Sequence, residues 1–297
     1  MQLGLQAIPP VGIIFDSDFG NDIDDVLAMA LLYGLDGKNE CRFVATTISK
    51  PNLKSAALCD AIGRFYAGEV SAAFNAFGRT LPVGLATSGK GAEDTPMLSV
   101  VAKYRHGIAD ITDTADPVDV LRNALSAQHP QNAIVVCSGP VSNLAALLRF
   151  PLGKSIAAER CKLLVIAADQ ASLADIAEWP TPIVIVGPEV GAAIPFPASS
   201  LDKDFAWSTA HPIVDAHKAY KPMPYDATTT AMAAVLYAVR AKDNLFQLSE
   251  HRRLMVDPTT KDRVQQMYIE LASAKPVPKM PRRRFNQQQQ QQQNEKM

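Results

Sequence analysis

Five aspartates fall within ten residues: Asp16, Asp18, Asp22, Asp24 and Asp25 in DSDFGNDIDD. The cluster follows the apolar run VGIIF from Val11 and precedes the helical pattern VLAMALLYGL from Val26, so it occupies one strand-to-helix turn. Carboxylates this close repel one another unless a hard cation or a helix N-terminus neutralises them. Capping of the helix would explain one or two of Asp22, Asp24 and Asp25, but it leaves Asp16 and Asp18, at the strand end, without a reason. An all-oxygen donor set suits calcium or magnesium rather than zinc. Two further segments offer matching chemistry. AIVVC from Ala133 runs into SGPVSN, a tight turn that can present a main-chain carbonyl at Ser138. Asp226, in MPYD, stands before the helical pattern TTTAMAAVLYAVRA, where it could reach the cluster or cap that helix.

The elements that must position these groups are legible as short apolar runs: VGIIF, RFVATTIS from Arg42, AIVVC, KLLVIA from Lys162 and PIVIVG from Pro182. They read as buried strands. Helical patterns lie between them, including SAALCDAIGRFYAG from Ser55, VDVLRNALSAQ from Val118 and NLAALLRF from Asn143. Strand alternating with helix predicts an α/β fold with an open, mostly parallel, Rossmann-like sheet flanked by helices. A hairpin is expected from Leu245 to Val256. One domain is expected over residues 1–275. A tail over 276–297, Pro- and Arg-rich and then a glutamine run from Gln287 to Gln293, is expected to be disordered, because the glutamine run has no apolar side chains with which to join a core.

With Lys+Arg 29 against Asp+Glu 30, the chain lacks the bulk positive charge of a nucleic-acid or anionic-membrane binder, and a small-molecule partner is expected, with homo-oligomerisation left open. Cys41, Cys59, Cys137 and Cys161 have no CxxC spacing and read as reduced core thiols. No apolar stretch approaches the length of a membrane span, and MQLGLQAIPP lacks the basic start of a secretory signal; a cytoplasmic location is the expectation, unless an export signal precedes the given start.

The segments DSDFGNDIDDVLAM, SGPVSNLA and YDATTTAMAAVLYAV resemble, in that order and spacing, the nucleoside hydrolases, also called inosine-uridine-preferring ribohydrolases. The likeness spans about residues 11 to 257, and WPTPIVIVGPEVG from Trp179 looks like the bacterial branch of the family. The resemblance implies one calcium at the carboxyl ends of the strands and hydrolysis of the N-glycosidic bond of a ribonucleoside. It implies Asp18 as general base and metal ligand, Asp24 as the acid on the ribose hydroxyls, Asp25 as second metal ligand, the Ser138 carbonyl as third and Asp226 as the last carboxylate. Two residues are added between Gly20 and the Asp pair, so Asp22 belongs to an insertion and stays unassigned, as does Asp16. In the loop after the second strand Asn52 is the candidate near the ribose, and Asp169 stands where relatives carry a sugar-binding signature. Tyr225 occupies the place of a histidine suited to protonating a leaving base, and an unperturbed phenol is a poor acid near neutrality. His211 and His217 could supply that proton, although a solvent-facing position is expected for each. Two other readings compete: a calcium- and sugar- or nucleoside-binding protein without catalysis, and a haloacid-dehalogenase-like phosphatase with Asp16 as nucleophile.

Overall fold

The computed structural model describes residues 9–74, 81–167 and 170–277. In chain order, the first half contains β1 (Gly12–Ser17), α1 (Ile23–Gly37), β2 (Arg42–Ile48), α2 (Leu53–Phe74), β3 (Val83–Leu85), α3 (Pro117–Ser126), β4 (Ala133–Ser138) and α4 (Ser142–Arg149). The second half contains α5 (Gly153–Arg160), β5 (Cys161–Ile166), β6 (Ile183–Ile185), α6 (Pro188–Ala193), α7 (Ser199–Lys203), α8 (Pro212–Tyr220), α9 (Thr230–Arg240), β7 (Phe246–Leu248), β8 (Leu254–Val256) and α10 (Lys261–Ala272).

Six strands form one wholly parallel sheet in the order β3-β2-β1-β4-β5-β6. The order runs outward in both directions from β1 and β4, so the chain reverses its winding between them. Such a reversal sends the loops leaving those two strands in opposite directions, and the crevice expected at their carboxyl ends is where α/β sheets bind ligands. Ser17 at the end of β1 lies in register with Ser138 at the end of β4. The acidic cluster and the Ser138 turn therefore meet at the switch point.

Alternation along the strands builds two cores. Ile13, Phe15, Ile134 and Val136 point into a large cluster that also contains Val26, Leu27 and Leu31 of α1 and Met232 and Leu236 of α9. Ile14, Val135 and Cys137 point the other way, onto Leu121 of α3, Leu144 of α4 and Ala157 of α5. Nearly every side chain of α1 is buried, because α10 packs across it so closely that a Cβ on Gly34 would lie 2.1 Å from the Leu271 carbonyl oxygen.

The five strands expected from apolar runs all form, as does the hairpin, with Phe246–Leu248 antiparallel to Leu254–Val256. The short edge strand β3 escapes the pattern, since Leu81-Pro82-Val83-Gly84-Leu85 is broken by proline and glycine. Helices α5 to α8 and α10 were also not anticipated. Their apolar residues are sparse or the helices short, so periodicity carries little signal. All four cysteines are free and buried. Among the described residues, no helix is long and apolar enough to cross a membrane. The expected tail lies outside the described residues from position 278 onward.

Candidate active site

At the mouth of the crevice the five acids take five different environments. Asp16 is the last but one residue of β1 and has no exposed surface. Its Oδ1 accepts from Thr47 Oγ1 at 2.6 Å and Asn143 Nδ2 at 2.8 Å, and Cys137 Sγ donates to Oδ2 at 3.4 Å. Burial pushes its carboxyl up to about 6 against those hydrogen bonds. Asp16 thus ties β1 to β2, β4 and α4, which supplies the reason that helix capping did not. A carboxylate so enclosed cannot reach a phosphoryl group, which argues against the phosphatase reading.

Asp22 is the N-cap of α1 and accepts from the Asp24 amide at 2.9 Å. It is half-buried and also takes a hydrogen bond from Tyr220. Asp24 turns away from the mouth. Its Oδ2 accepts from the Ala231 amide at 2.6 Å and its Oδ1 from the Met232 amide at 3.3 Å. The ribose-binding acid implied by the resemblance therefore caps helix α9, across 207 residues of chain, because Thr229, the local N-cap residue, makes no side-chain capping bond. Burial dominates its titration and pushes it up to about 8.

Asp18 and Asp25 remain. Asp18 is half-buried beyond the end of β1, and its Oδ2 accepts from Asn21 Nδ2 at 2.7 Å. Its carboxyl is raised, burial being the largest cause. The turn after β4 closes directly on it: a Cβ on Gly139 would lie 2.5 Å from the Asp18 nitrogen and 3.1 Å from its Oδ1, so only glycine fits. Asp25 is 3% exposed and raised well above the usual carboxylate range, first by burial and then by the charge of Asp18. Its Oδ1 accepts from the Ser138 hydroxyl, while its Oδ2 has no hydrogen-bond partner. An unpartnered buried carboxylate oxygen costs stability unless something outside the chain satisfies it. Among the described residues no three His, Cys, Asp or Glu side chains converge. What does converge is two carboxylates and the Ser138 segment, hard oxygen donors that fit part of the coordination shell of calcium.

The remaining expected site residues are placed otherwise. Asp226 is exposed, its Oδ1 accepting from the Ala198 amide at 2.9 Å, and among the described residues no hydrogen bond joins it to the cluster. It does not cap α9 either, since that helix begins four residues later, at Thr230. Asn52 is buried and spends both ends of its amide: Oδ1 accepts from the Ser55 amide at 3.1 Å, and Nδ2 donates to Ala92 O at 2.8 Å and Asp94 Oδ1 at 3.0 Å. It starts α2 and pins the 88–94 loop, which is the turn-forming role. Asp169 lies outside the described residues. Tyr225 donates to the His217 carbonyl at 2.6 Å, and burial raises its phenol further, so it is no acid in this position.

The histidines depart from expectation, because neither faces solvent. His211 is 2% exposed in a box of Phe65, Phe205 and Trp207, with ring centroids 4.5, 4.9 and 5.1 Å away. His217 has no exposed surface, stacks on Tyr225 at 4.3 Å, and neither ring nitrogen has a hydrogen-bond partner. Burial lowers each to about 4. Position in a segment of mixed polarity suggested the surface; packing of α8 against α1 and α2 put both rings inside.

Sequence reasoning missed two members of the site. Lys50, two residues beyond β2, is 1% exposed, and its Nζ donates to Asn21 Oδ1 at 2.7 Å. Burial lowers it, and Asp18 is the strongest of the charges that oppose this. Tyr220 borders the mouth through Asp22. The available signal for Lys50 was a lysine immediately after a buried strand on the side of the sheet that carries the acids.

The open, parallel α/β sheet is a fold that the chain shares with solved nucleoside hydrolases. In structure the chain is similar to a plant nucleoside hydrolase, PpNRh1 (TM-score 0.60, 15% identity, covering 90% of this chain and 100% of that one). It is similar also to the purine-preferring ribonucleoside hydrolase from Gardnerella vaginalis (TM-score 0.59, 16% identity, 88% and 98%). A third similar structure is the type III effector protein XopQ complexed with adenosine diphosphate ribose (TM-score 0.63, 12% identity, 90% and 92%). No family model and no curated protein matches the sequence.

Proposed function

We propose that this chain hydrolyses the N-glycosidic bond of a ribonucleoside or related N-ribosyl compound in the crevice above Asp18, Asp22 and Asp25. The observation that carries the reading is the pair Asp18 and Asp25: two carboxylates raised by burial at the switch point, one with a free oxygen, in a fold shared with nucleoside hydrolases. Asp18, its carboxyl raised by burial, takes the proton of a water attacking the anomeric carbon. As the bond to the base breaks, positive charge develops on the sugar, and Asp18, Asp22 and Asp25 stabilise it by their negative charge. Calcium is the cofactor proposed here, held by Asp18, Asp25 and the Ser138 main-chain carbonyl; such an ion, when bound, makes a water more acidic and orients the ribose diol. Because Asp24 and Asn52 are occupied elsewhere, Asp22 and Tyr220 are the groups proposed to meet the sugar hydroxyls.

Among the described residues, neither Tyr225 nor the two buried histidines is placed to protonate a leaving base, so substrates with intrinsically good leaving groups are favoured. Purified protein assayed with and without chelator should cleave p-nitrophenyl riboside far faster than inosine or uridine. Equal rates on the three would show an acid that this geometry lacks.

A second reading, binding of a ribosyl ligand without cleavage, is favoured by one observation: Tyr225 and Asp226, both assigned by the resemblance, are engaged with His217 and Ala198 rather than with the cluster. XopQ, similar in fold, was crystallised with adenosine diphosphate ribose, and that compound belongs in the panel. Saturable binding with no turnover would decide for this alternative.

A further inference from the structure

We propose that Lys50 is an internal cation that neutralises part of the acidic cluster, so that the site holds its shape without a divalent ion and binds one more weakly than its carboxylates alone would. The inference rests on the metal reading above and asks how strongly this chain depends on the ion.

A lysine that is 1% exposed needs fixed partners, since an isolated buried ammonium is not stable. Lys50 meets the cluster through one amide. Its Nζ donates to Asn21 Oδ1 at 2.7 Å, and Asn21 Nδ2 donates to Asp18 Oδ2 at 2.7 Å. The amide is oriented by the ammonium and donates to one carboxylate oxygen of Asp18, so the lysine's charge stands one hydrogen-bond link from that carboxylate. The charges that act on the ammonium are, in order, Asp18, Asp94, Asp25 and Glu93, so both proposed metal ligands are among them.

The ammonium is also held in place. Gly91, at φ +82, lays its backbone against the lysine stem: a Cβ there would be 3.7 Å from Lys50 Cβ, 3.8 Å from its Cδ and 3.4 Å from Asn21 Nδ2. The loop carrying Gly91 is fastened by Asn52 to Ala92 and Asp94, by the ion pair of Lys54 with Asp94, and by Thr95 Oγ1 donating to Gly20 O at 2.5 Å. A positive charge fixed beside Asp18 and Asp25 repels a divalent cation entering between them, and the low dielectric of a buried site strengthens that repulsion. It also relieves the repulsion among the acids when no ion is present. Asn21, one link of this relay, lies in the same strand-to-helix turn as Asp18 and Asp22.

The test compares the wild type with Lys50→Met, which keeps the stem and loses the charge, Lys50→Arg, which keeps the charge, and Asp25→Ala. Chelator-treated proteins are titrated with calcium chloride in a calorimeter and melted in EDTA and in calcium. The wild type and Lys50→Arg should gain less in melting temperature from calcium than Lys50→Met does, because they bind the ion more weakly. Lys50→Met should bind calcium at least about tenfold more tightly than the wild type and regain in calcium the melting temperature it loses in EDTA, while Asp25→Ala binds none. Equal affinities in the wild type and Lys50→Met would overturn the role of Lys50 alone. Failure of both to bind calcium would overturn the metal reading as well. A Lys50→Met protein that stays unfolded in calcium would show the lysine to be needed for folding rather than for charge balance.

Discussion

Asp18 and His217 show how differently burial can act on a single titratable residue. Asp18 is half-buried just beyond the end of β1, and Asp18→Asn should preserve folding, because an amide oxygen can still accept from Asn21. The amide cannot take a proton from water, so turnover should fall by ~10² to 10⁴. Near-normal turnover of p-nitrophenyl riboside would remove Asp18 as the base. His217 has no role at the mouth; its ring is sealed against Tyr225 with both nitrogens unpaired. Its folded pKa lies at about 4, below the unfolded value of 6.5. The unfolded chain therefore binds more protons between those values, and the stability that comes from keeping this ring neutral is complete above pH 6.5 and lost as pH falls towards 4. Asp16 and Asp24, raised by burial, act with the opposite sign, so the informative quantity is a difference between proteins. His217→Phe keeps the stack and removes the titration. In urea titrations the variant should gain on the wild type by up to about 1.4 kcal/mol per pH unit across that window. A gap that does not change with pH would mean that the histidine is solvated.

At the scale of elements, the N-terminus of α9 depends on a residue of α1. Asp24 satisfies the Ala231 and Met232 amides, and both the acid and those amides are buried. Asp22 caps α1 at a half-exposed position, where water can replace it. Asp24→Ala should therefore cost about 2 kcal/mol, with buried donors left unmet, and Asp22→Ala about 1 kcal/mol, as an ordinary N-cap does. Chemical denaturation of the two variants gives the order. If Asp22→Ala proves the more destabilising, or if Asp24→Ala weakens ribosyl binding with no loss of stability, Asp24 works at the mouth and not as the cap of α9.

For the whole molecule, the two cores, as far as the described residues form them, extend to Leu271 and Ala272 of α10. Residues after Pro281 are polar or basic apart from Phe285 and Met297 and offer almost no apolar area for burial. A chain ended at Pro281 should melt within about 2 °C of the full chain, a shift that for this size corresponds to less than about 1 kcal/mol. A fall of several degrees would show that the last residues pack on the domain.

The sequence by itself determined the parallel α/β sheet, the strand ends at which its acids stand and the crowding of acids after β1. Apolar period and strand-to-helix order are local properties, and winding rules turn them into a sheet with few choices. What each acid does was decided by tertiary structure alone. Asp16 is fixed by partners as far as 127 residues away, Asp24 by amides 207 residues away, and Lys50 reaches Asn21 across 29 residues. None of these pairings leaves a trace in spacing. The same type of residue becomes a buried tie, a helix cap or a free carboxylate according to which donors the fold brings within about 3 Å of it.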